Sequence, residues 1–260
     1  MLERLARLGY ASKAVIYMII GGLAAAAALN AGGRVTDTSG ALRAILSQPF
    51  GTLILIVLGI GLCGYATWRV LDAIRDPDRR GLNFQGVIVR GGNVVRAIVY
   101  GALGLEAFRL ARGLRGSSGQ EAESWAGRVM AWPLGEWLLG LVGVIVAAYG
   151  VSEVIKATRG RVDKDLDLTP IRPAMRGIAV KVSWFGIGAR GLIVIVLGGF
   201  LVRAAVRARP TDAHGTRESV VELANALPGR WMLAAVALGL IAYGLDQLLR
   251  ARCRRIAPVV

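Results

Sequence analysis

Histidine, cysteine and acidic residues are scarce in this chain, and each shortage removes a class of chemistry. The single histidine, His214, stands in the polar stretch Thr211-Asp212-Ala213-His214-Gly215. With no second histidine and no neighbouring cysteine a zinc site is not expected, and the same count nearly excludes histidine-ligated haem. The two cysteines, Cys63 in an apolar run and Cys253 in a basic tail, give no disulfide framework. Asp and Glu number 17 against 32 Lys and Arg, so acid–base pairs have few candidates. The one acidic run, Asp163-Lys164-Asp165-Leu166-Asp167, opens like a calcium loop but lacks the glycine and the terminal glutamate. It reads as a solvated linker balanced by Arg159, Arg161 and Arg172. No serine occupies a nucleophile elbow. The expectation is a protein that is not an enzyme and takes no metal or cofactor.

Charge is also missing over long stretches. Ala14 to Gly33 is twenty residues without one, and Phe50 to Trp68 is nineteen. About twenty helical residues cover the roughly 30 Å hydrocarbon core of a bilayer. Shorter uncharged runs follow at Ala97–Leu105, Trp137–Ser152, Gly191–Val202 and Trp231–Leu245. The expected fold is an all-α polytopic membrane protein with six transmembrane helices. A net charge of +15 would suggest nucleic acid in a soluble protein, but here the cations sit between apolar runs and stacking aromatics are almost absent beside them. Assigning the termini and the two long linkers to one side places 21 of the 32 Lys and Arg there and 11 on the other. The positive-inside rule then puts both termini in the cytoplasm, which predicts a multi-pass protein of the bacterial inner (cytoplasmic) membrane. The first thirty residues imitate a cleavable signal, yet they carry one copy of a repeat, so cleavage is not expected.

That repeat organises the chain. Gly9-x-x-x-Lys13-x-x-x-Tyr17 returns as Gly92-x-x-x-Arg96-x-x-x-Tyr100, and more loosely as Gly186-x-x-x-Arg190-x-x-x-Val194. A second half aligns too: Pro49-Phe50-Gly51 with Pro133-Leu134-Gly135 and Pro228-Gly229, each followed by a tyrosine, Tyr65, Tyr149 and Tyr243. Lys13 to Arg96 is 83 residues and Tyr65 to Tyr149 is 84; Arg96 to Arg190 and Tyr149 to Tyr243 are both 94. Matching offsets in both halves mark three tandem two-helix units, divided here as 1–73, 74–157 and 158–260. Three such units either close around a pseudo-threefold axis or pack as an irregular six-helix bundle. Short amphipathic segments, 39–46, 120–130 and 219–227, are expected to lie at the outer interface. Capping-box spacing marks Ser118 with Glu121 and Ser219 with Glu222, and the prolines are expected in the first turns of the second helices. Trp125, Trp132, Trp137 and Trp231 gather at the same level, as an aromatic belt would. Glycines within the apolar runs favour close helix packing.

Lys13, Arg96 and Arg190 place one cation at the same point of each copy. A charge in a span is costly and is a functional hypothesis by default. Three readings compete: snorkelling to the cytoplasmic interface, pairing with a buried partner, and a cationic cluster for an anion or a lipid headgroup. Four residues past each repeat tyrosine stand Arg69, Glu153 and Gln247, and one position earlier Trp68, Ser152 and Asp246. Glu153 and Asp246 are candidate partners for Arg96 and Arg190; copy one offers Arg69 instead, with Asp72 a turn beyond. Glu106 and Arg109 have the spacing of a local helical pair.

The motif Gly-x-x-x-Lys/Arg-x-x-x-Tyr, then Ala41-Leu42-Arg43-Ala44, Pro49-Phe50-Gly51 and Gly64-Tyr65-x-x-Trp68-Arg69 resembles the bacterial membrane family called domain of unknown function 1206. The resemblance runs from Leu5 to Ala251. Copy two departs from it at Ser152-Glu153, and copy three at Val194. It implies about three tandem two-helix units and carries over no catalytic residue. Two functions are expected. One is a structural, interaction or lipid-associated membrane protein, held in the bilayer with anionic lipid or a membrane-protein partner and no nucleic acid. The other is a small channel or carrier for anions guarded by Lys13, Arg96 and Arg190.

Overall fold

The computed structural model of the chain describes residues 2–30, 35–75, 84–114, 121–159, 169, 173–213, 216–225 and 230–253. Among them every regular element is helical. Six are long: α1 (Leu2–Ala28), α3 (Gly51–Arg75), α4 (Phe84–Ala111), α6 (Gly135–Thr158), α7 (Pro173–Arg207) and α9 (Arg230–Cys253). Three are short: α2 (Thr38–Leu46), α5 (Glu121–Met130) and α8 (Thr216–Asn225).

Five of the long helices are long and apolar enough to cross a membrane, over Ala6–Ala28, Gly51–Ile74, Gly135–Thr158, Met175–Arg207 and Leu233–Cys253. The protein is therefore a multi-pass membrane protein. Helix α4 has the length, at 28 residues, and carries Arg90, Arg96, Glu106 and Arg109 along it. The long helices turn branched side chains outward, among them Ile56, Ile98, Ile145 and Leu238. Exposed apolar surface on this scale suits a hydrocarbon solvent and not water.

The corners between short and long helices are built locally. Asp37 caps α2, its carboxylate accepting from the Gly40 amide at 2.7 Å. In Pro49-Phe50-Gly51 and Pro133-Leu134-Gly135 the middle residue is left-handed, at φ 61° for Phe50 and 64° for Leu134. The glycines then sit so close beneath the preceding short helix that a Cβ at Gly51 would collide with the Ile45 carbonyl, and one at Gly135 with that of Val129. Both prolines precede the left-handed residue, so they belong to the corner and not to the first helical turn expected of them. The Pro228-Gly229 version lies outside the described residues, as do Ser118, His214 and the acidic run 163–167. Ser219 is not a cap: α8 begins at Thr216, and Ser219 is a buried residue inside it.

The most extensive helix contacts join α6 to α7, α1 to α9 and α3 to α4. Each links the second long helix of one repeat to the first of another. Glycines permit the approach: Gly21 and Gly244 between α1 and α9, Gly59 and Gly104 between α3 and α4, Gly143 and Gly198 between α6 and α7. Within repeats, α1 packs on α3 and α7 on α9, whereas α4 and α6 make no comparable contact among the described residues. Helix α2 covers α1, α3 and α4, α8 covers α7 and α9, and α5 rests on α6 and the turn Pro210–Asp212.

Candidate functional site

The chain has six tyrosines, and all six meet in one buried cluster with four cations. Its position follows from the repeat. The first helices contribute Tyr10, Lys13 and Tyr17 from α1, Asn93, Arg96 and Tyr100 from α4, and Arg190 from α7. The second helices contribute Tyr65, Arg69 and Asp72 from α3, Tyr149 and Glu153 from α6, and Tyr243 from α9. Lys13 stands seven residues into its apolar span, about 10 Å along the axis. The cluster thus lies inside the bundle, towards the end that holds the start of α1.

Lys13 is 5% exposed. Its Nζ lies 4.5 Å from the Tyr100 ring centre, 4.8 Å from Tyr65 and 5.6 Å from Tyr10. The rings meet edge to face, Tyr10 on Tyr65 at 5.2 Å and Tyr65 on Tyr100 at 5.1 Å. An ammonium enclosed by ring faces away from water gains about 2 kcal/mol or more from cation–π attraction. Among the described residues no carboxylate lies within salt-bridge distance of it. Lys13 therefore does not snorkel, because the rings close over the end of the helix that a snorkelling side chain would need.

Arg69 is held as firmly. Its Nε donates to Tyr65 OH at 2.9 Å and its Nη2 to Tyr10 OH at 3.0 Å; Nη1 reaches Asp72 at 3.1 Å and Asn93 Oδ1 at 3.1 Å. Asn93 carries the chain onward, since its Oδ1 also accepts from Arg96 Nη1 at 3.0 Å and its Nδ2 donates to Asp72 at 2.8 Å. Arg96 Nη2 then donates to Tyr149 OH at 3.0 Å. The same hydroxyl accepts from Arg190 Nη1 at 3.5 Å, and Arg190 Nε reaches Tyr17 OH at 3.5 Å. Arg190 also lies 5.0 Å from the Tyr243 ring centre and 3.9 Å from Glu153. Among the described residues four cations thus share two contacting carboxylates, Asp72 and Glu153. The excess is positive, and the remaining neutralisation comes from phenol oxygens and ring faces.

Two expected pairings are redirected, and a third carboxylate gains a partner on another helix. Glu153 meets Arg190 and Lys156, not Arg96, because α6 packs on α7 and not on α4. Asp246 is fully buried and meets Arg250 at 2.8 Å, a turn along its own helix, so it does not serve Arg190. Glu106 accepts from Ser39 Oγ of α2 at 2.8 Å, which ties the short helix down. Beside Asp246, Gln247 donates to its Oδ2, while Gln247 Oε1 and Asp246 Oδ1 have no hydrogen-bond partner among the described residues.

The sequence comparisons place this cluster in a family. The profile of the family described as Domain of Unknown Function (DUF1206) matches the chain three times, over residues 8–76, 91–160 and 185–254. The chain belongs to this family. It is 34% identical over 249 residues to an uncharacterized protein, YxxB, of Bacillus subtilis (strain 168), an alignment covering 96% of this chain and 90% of that one. No solved structure matches. Each matched segment holds one repeat cation and one repeat tyrosine, so the cluster is assembled from all three copies of the family's unit.

Tyr10 and Asn93 escaped the sequence reading, and Tyr17 and Tyr100 entered it only as motif positions. All four sit at repeat positions, but only a view of their faces shows that they converge. A second device was legible and overlooked. Arg7 and Arg90 both stand six residues before their repeat cation. Arg7 donates to the carbonyls of Ala251 and Arg252 at 3.3 and 2.7 Å, and Arg90 to those of Ala73 and Ile74 at 2.6 and 3.4 Å. Ala73 and Ala251 are each eight residues past their repeat tyrosine, so these are the same bonds in two copies, each capping the C-terminal carbonyls of a neighbouring helix.

Proposed function

We propose that this is a lipid-associated inner-membrane protein whose buried cations receive an anionic group of the phosphate class at the cytoplasmic side. One observation carries the reading: the three repeat cations, Lys13, Arg96 and Arg190, gather in one cluster with Arg69, and two carboxylates face the four of them. A surplus of buried positive charge is stabilised by an anion, and guanidinium with phenol donors suits phosphate oxygens. The reading is of a binding protein and not of an enzyme, since its buried groups are those that hold anions. We further propose six spans with α4 as the sixth, a pseudo-threefold arrangement and cytoplasmic termini. The cyclic contacts α3–α4, α6–α7 and α9–α1 and the equivalent Arg7 and Arg90 caps support the symmetry. Exposed Val95, Ile98 and Leu105 support α4 as a span.

The same convergence of cations would serve passage of a small anion, the second reading. Native mass spectrometry and liposome flux separate the two. The detergent-purified protein is expected to retain phosphatidylglycerol at least tenfold over phosphatidylcholine. A variant with Lys13→Gln, Arg96→Gln and Arg190→Gln is expected to lose that preference. Saturable binding of inorganic phosphate with anion flux that the triple variant abolishes would favour the carrier. Equal retention of both lipids together with no phosphate binding would overturn the anion site altogether.

A further inference from the structure

Two repeats make the same crossing between their own long helices, and the third does not. In repeat one a Cβ at Gly9 would collide with Tyr65, and one at Gly61 with Ser12 Oγ. In repeat three a Cβ at Gly186 would collide with the Tyr243 main chain, and one at Gly239 with Ala189. These are equivalent contacts: glycine against the repeat tyrosine, and glycine against a small residue. Counted from the repeat cation and tyrosine, the second pair in repeat two is Val95 and Ile145. Both are branched, and both are exposed, at 60% and 58%. A Cβ on Gly92, the partner expected for Tyr149, meets nothing within 4 Å, and neither does one on Gly91. Ile16 and Ile193 are buried, while their counterpart Val99 is 48% exposed.

The seam between α4 and α6 is thus held open by its own side chains. Its walls are apolar, and the bond from Arg96 to Tyr149 OH spans it at the inner end. Burial of the cluster falls in the same direction. Lys13 and Arg69 on the closed side are buried, whereas Arg96, Arg190 and Tyr149 are only half-buried. The two seam cations have one carboxylate between them, Glu153 at 3.9 Å from Arg190.

We propose that this seam seats one anionic phospholipid, its phosphate on Arg96 and Arg190 and an acyl chain between α4 and α6 along Val95, Val99 and Ile145. The proposal rests on the anion-binding reading above and adds the occupant and its route. A free anion would match the cations and leave the branched walls unmatched. A polypeptide side chain of matching charge would have to carry a carboxylate past those walls into the bilayer, at high cost. A phospholipid supplies both parts, and it is the solvent already present at that level.

The test uses the full-length protein in detergent with phosphatidylglycerol as probe. A double variant, Val95→Ser with Ile145→Gly, restores the small-on-small crossing of the other repeats and leaves every cation in place. Retained phosphatidylglycerol is expected to fall at least fivefold by native mass spectrometry, and Arg96→Gln is expected to match that loss. Loss in Arg96→Gln with full retention in the double variant overturns the seam and leaves the cationic site standing. Full retention in both overturns both. Phosphatidylglycerol with a diazirine on its acyl chain needs no mutation and covers the case of a variant that fails to fold. Crosslinks concentrated on residues 95–99 and 141–149 are expected. Crosslinks spread equally over other outward faces, such as those of Val206 and Leu238, sink the proposal.

Discussion

The crossing of α1 on α3 and the gap between α4 and α6 are built from copies of one unit, and they differ in outcome. Each has the repeat glycine, the repeat cation and the repeat tyrosine. In the first, Ser12 lies on Gly61 and the helices touch through main chain. In the second, Val95 and Ile145 occupy those places and the faces stay apart. Transmembrane helices have little hydrophobic drive to associate, so contact depends on how closely their backbones approach. Two branched residues are enough to prevent it. The lesson is that a repeat motif specifies which faces are turned towards each other, while the residues one turn away decide whether they meet.

The sharpest way to break this comparison is to add bulk at the repeat glycine. Gly9→Leu should cost about 3 kcal/mol or more, because its side chain meets the Tyr65 main chain and the Gly61 carbonyl, which cannot swing aside. Gly92→Leu should cost less than about 0.5 kcal/mol, since open space surrounds it. Reversible unfolding in one detergent would measure both. Equal losses would mean that the gap closes in the membrane and that the two regions are alike.

The cations sharpen the same contrast at smaller amplitude. Arg69→Met breaks the ion pair with Asp72, which keeps only Asn93, and takes the donor from two tyrosine hydroxyls in the closed half, at about 3 kcal/mol. Arg96→Met removes bonds to Asn93 and Tyr149 in the half-open part, at about 1 kcal/mol. Its larger effect should be on lipid retention. If thermal denaturation ranked Arg96→Met as the more damaging, the cluster would be a structural keystone at the seam and its role as a lipid site would fail.

Much of this was written in the sequence. The repeat offsets, the short helices and the exposure of Trp125, Trp132, Trp137 and Trp231 follow from periodicity and composition, which act locally. Pairing did not follow. Glu153 looked like a partner for Arg96 because both belong to repeat two, yet α6 packs on α7 and delivers it to Arg190. Which repeat's helix stands beside which is settled by glycine contacts between distant residues, and those have no local signature. Depth misled for a related reason: Lys13 is near enough to the helix start to reach water, and only the neighbouring rings from α3 and α4 decide that it turns inward.

The smallest predicted effect concerns what the repeats share. Arg7→Ala and Arg90→Ala each remove donors from the last carbonyls of a neighbouring helix, α9 in one case and α3 in the other. Each should cost about 1 kcal/mol, and the two should add, because the sites share no partner. The third copy has Trp184 at this position, beside Ala157 of α6, with an indole N–H that finds no acceptor among the described residues. Trp184→Phe should therefore cost less than about 0.5 kcal/mol, as no hydrogen bond is lost. A cost at Trp184 matching that at Arg7 would show that the indole does cap α6. The three copies would then be equivalent at their helix ends, and the open crossing of the second would rest on Val95 and Ile145.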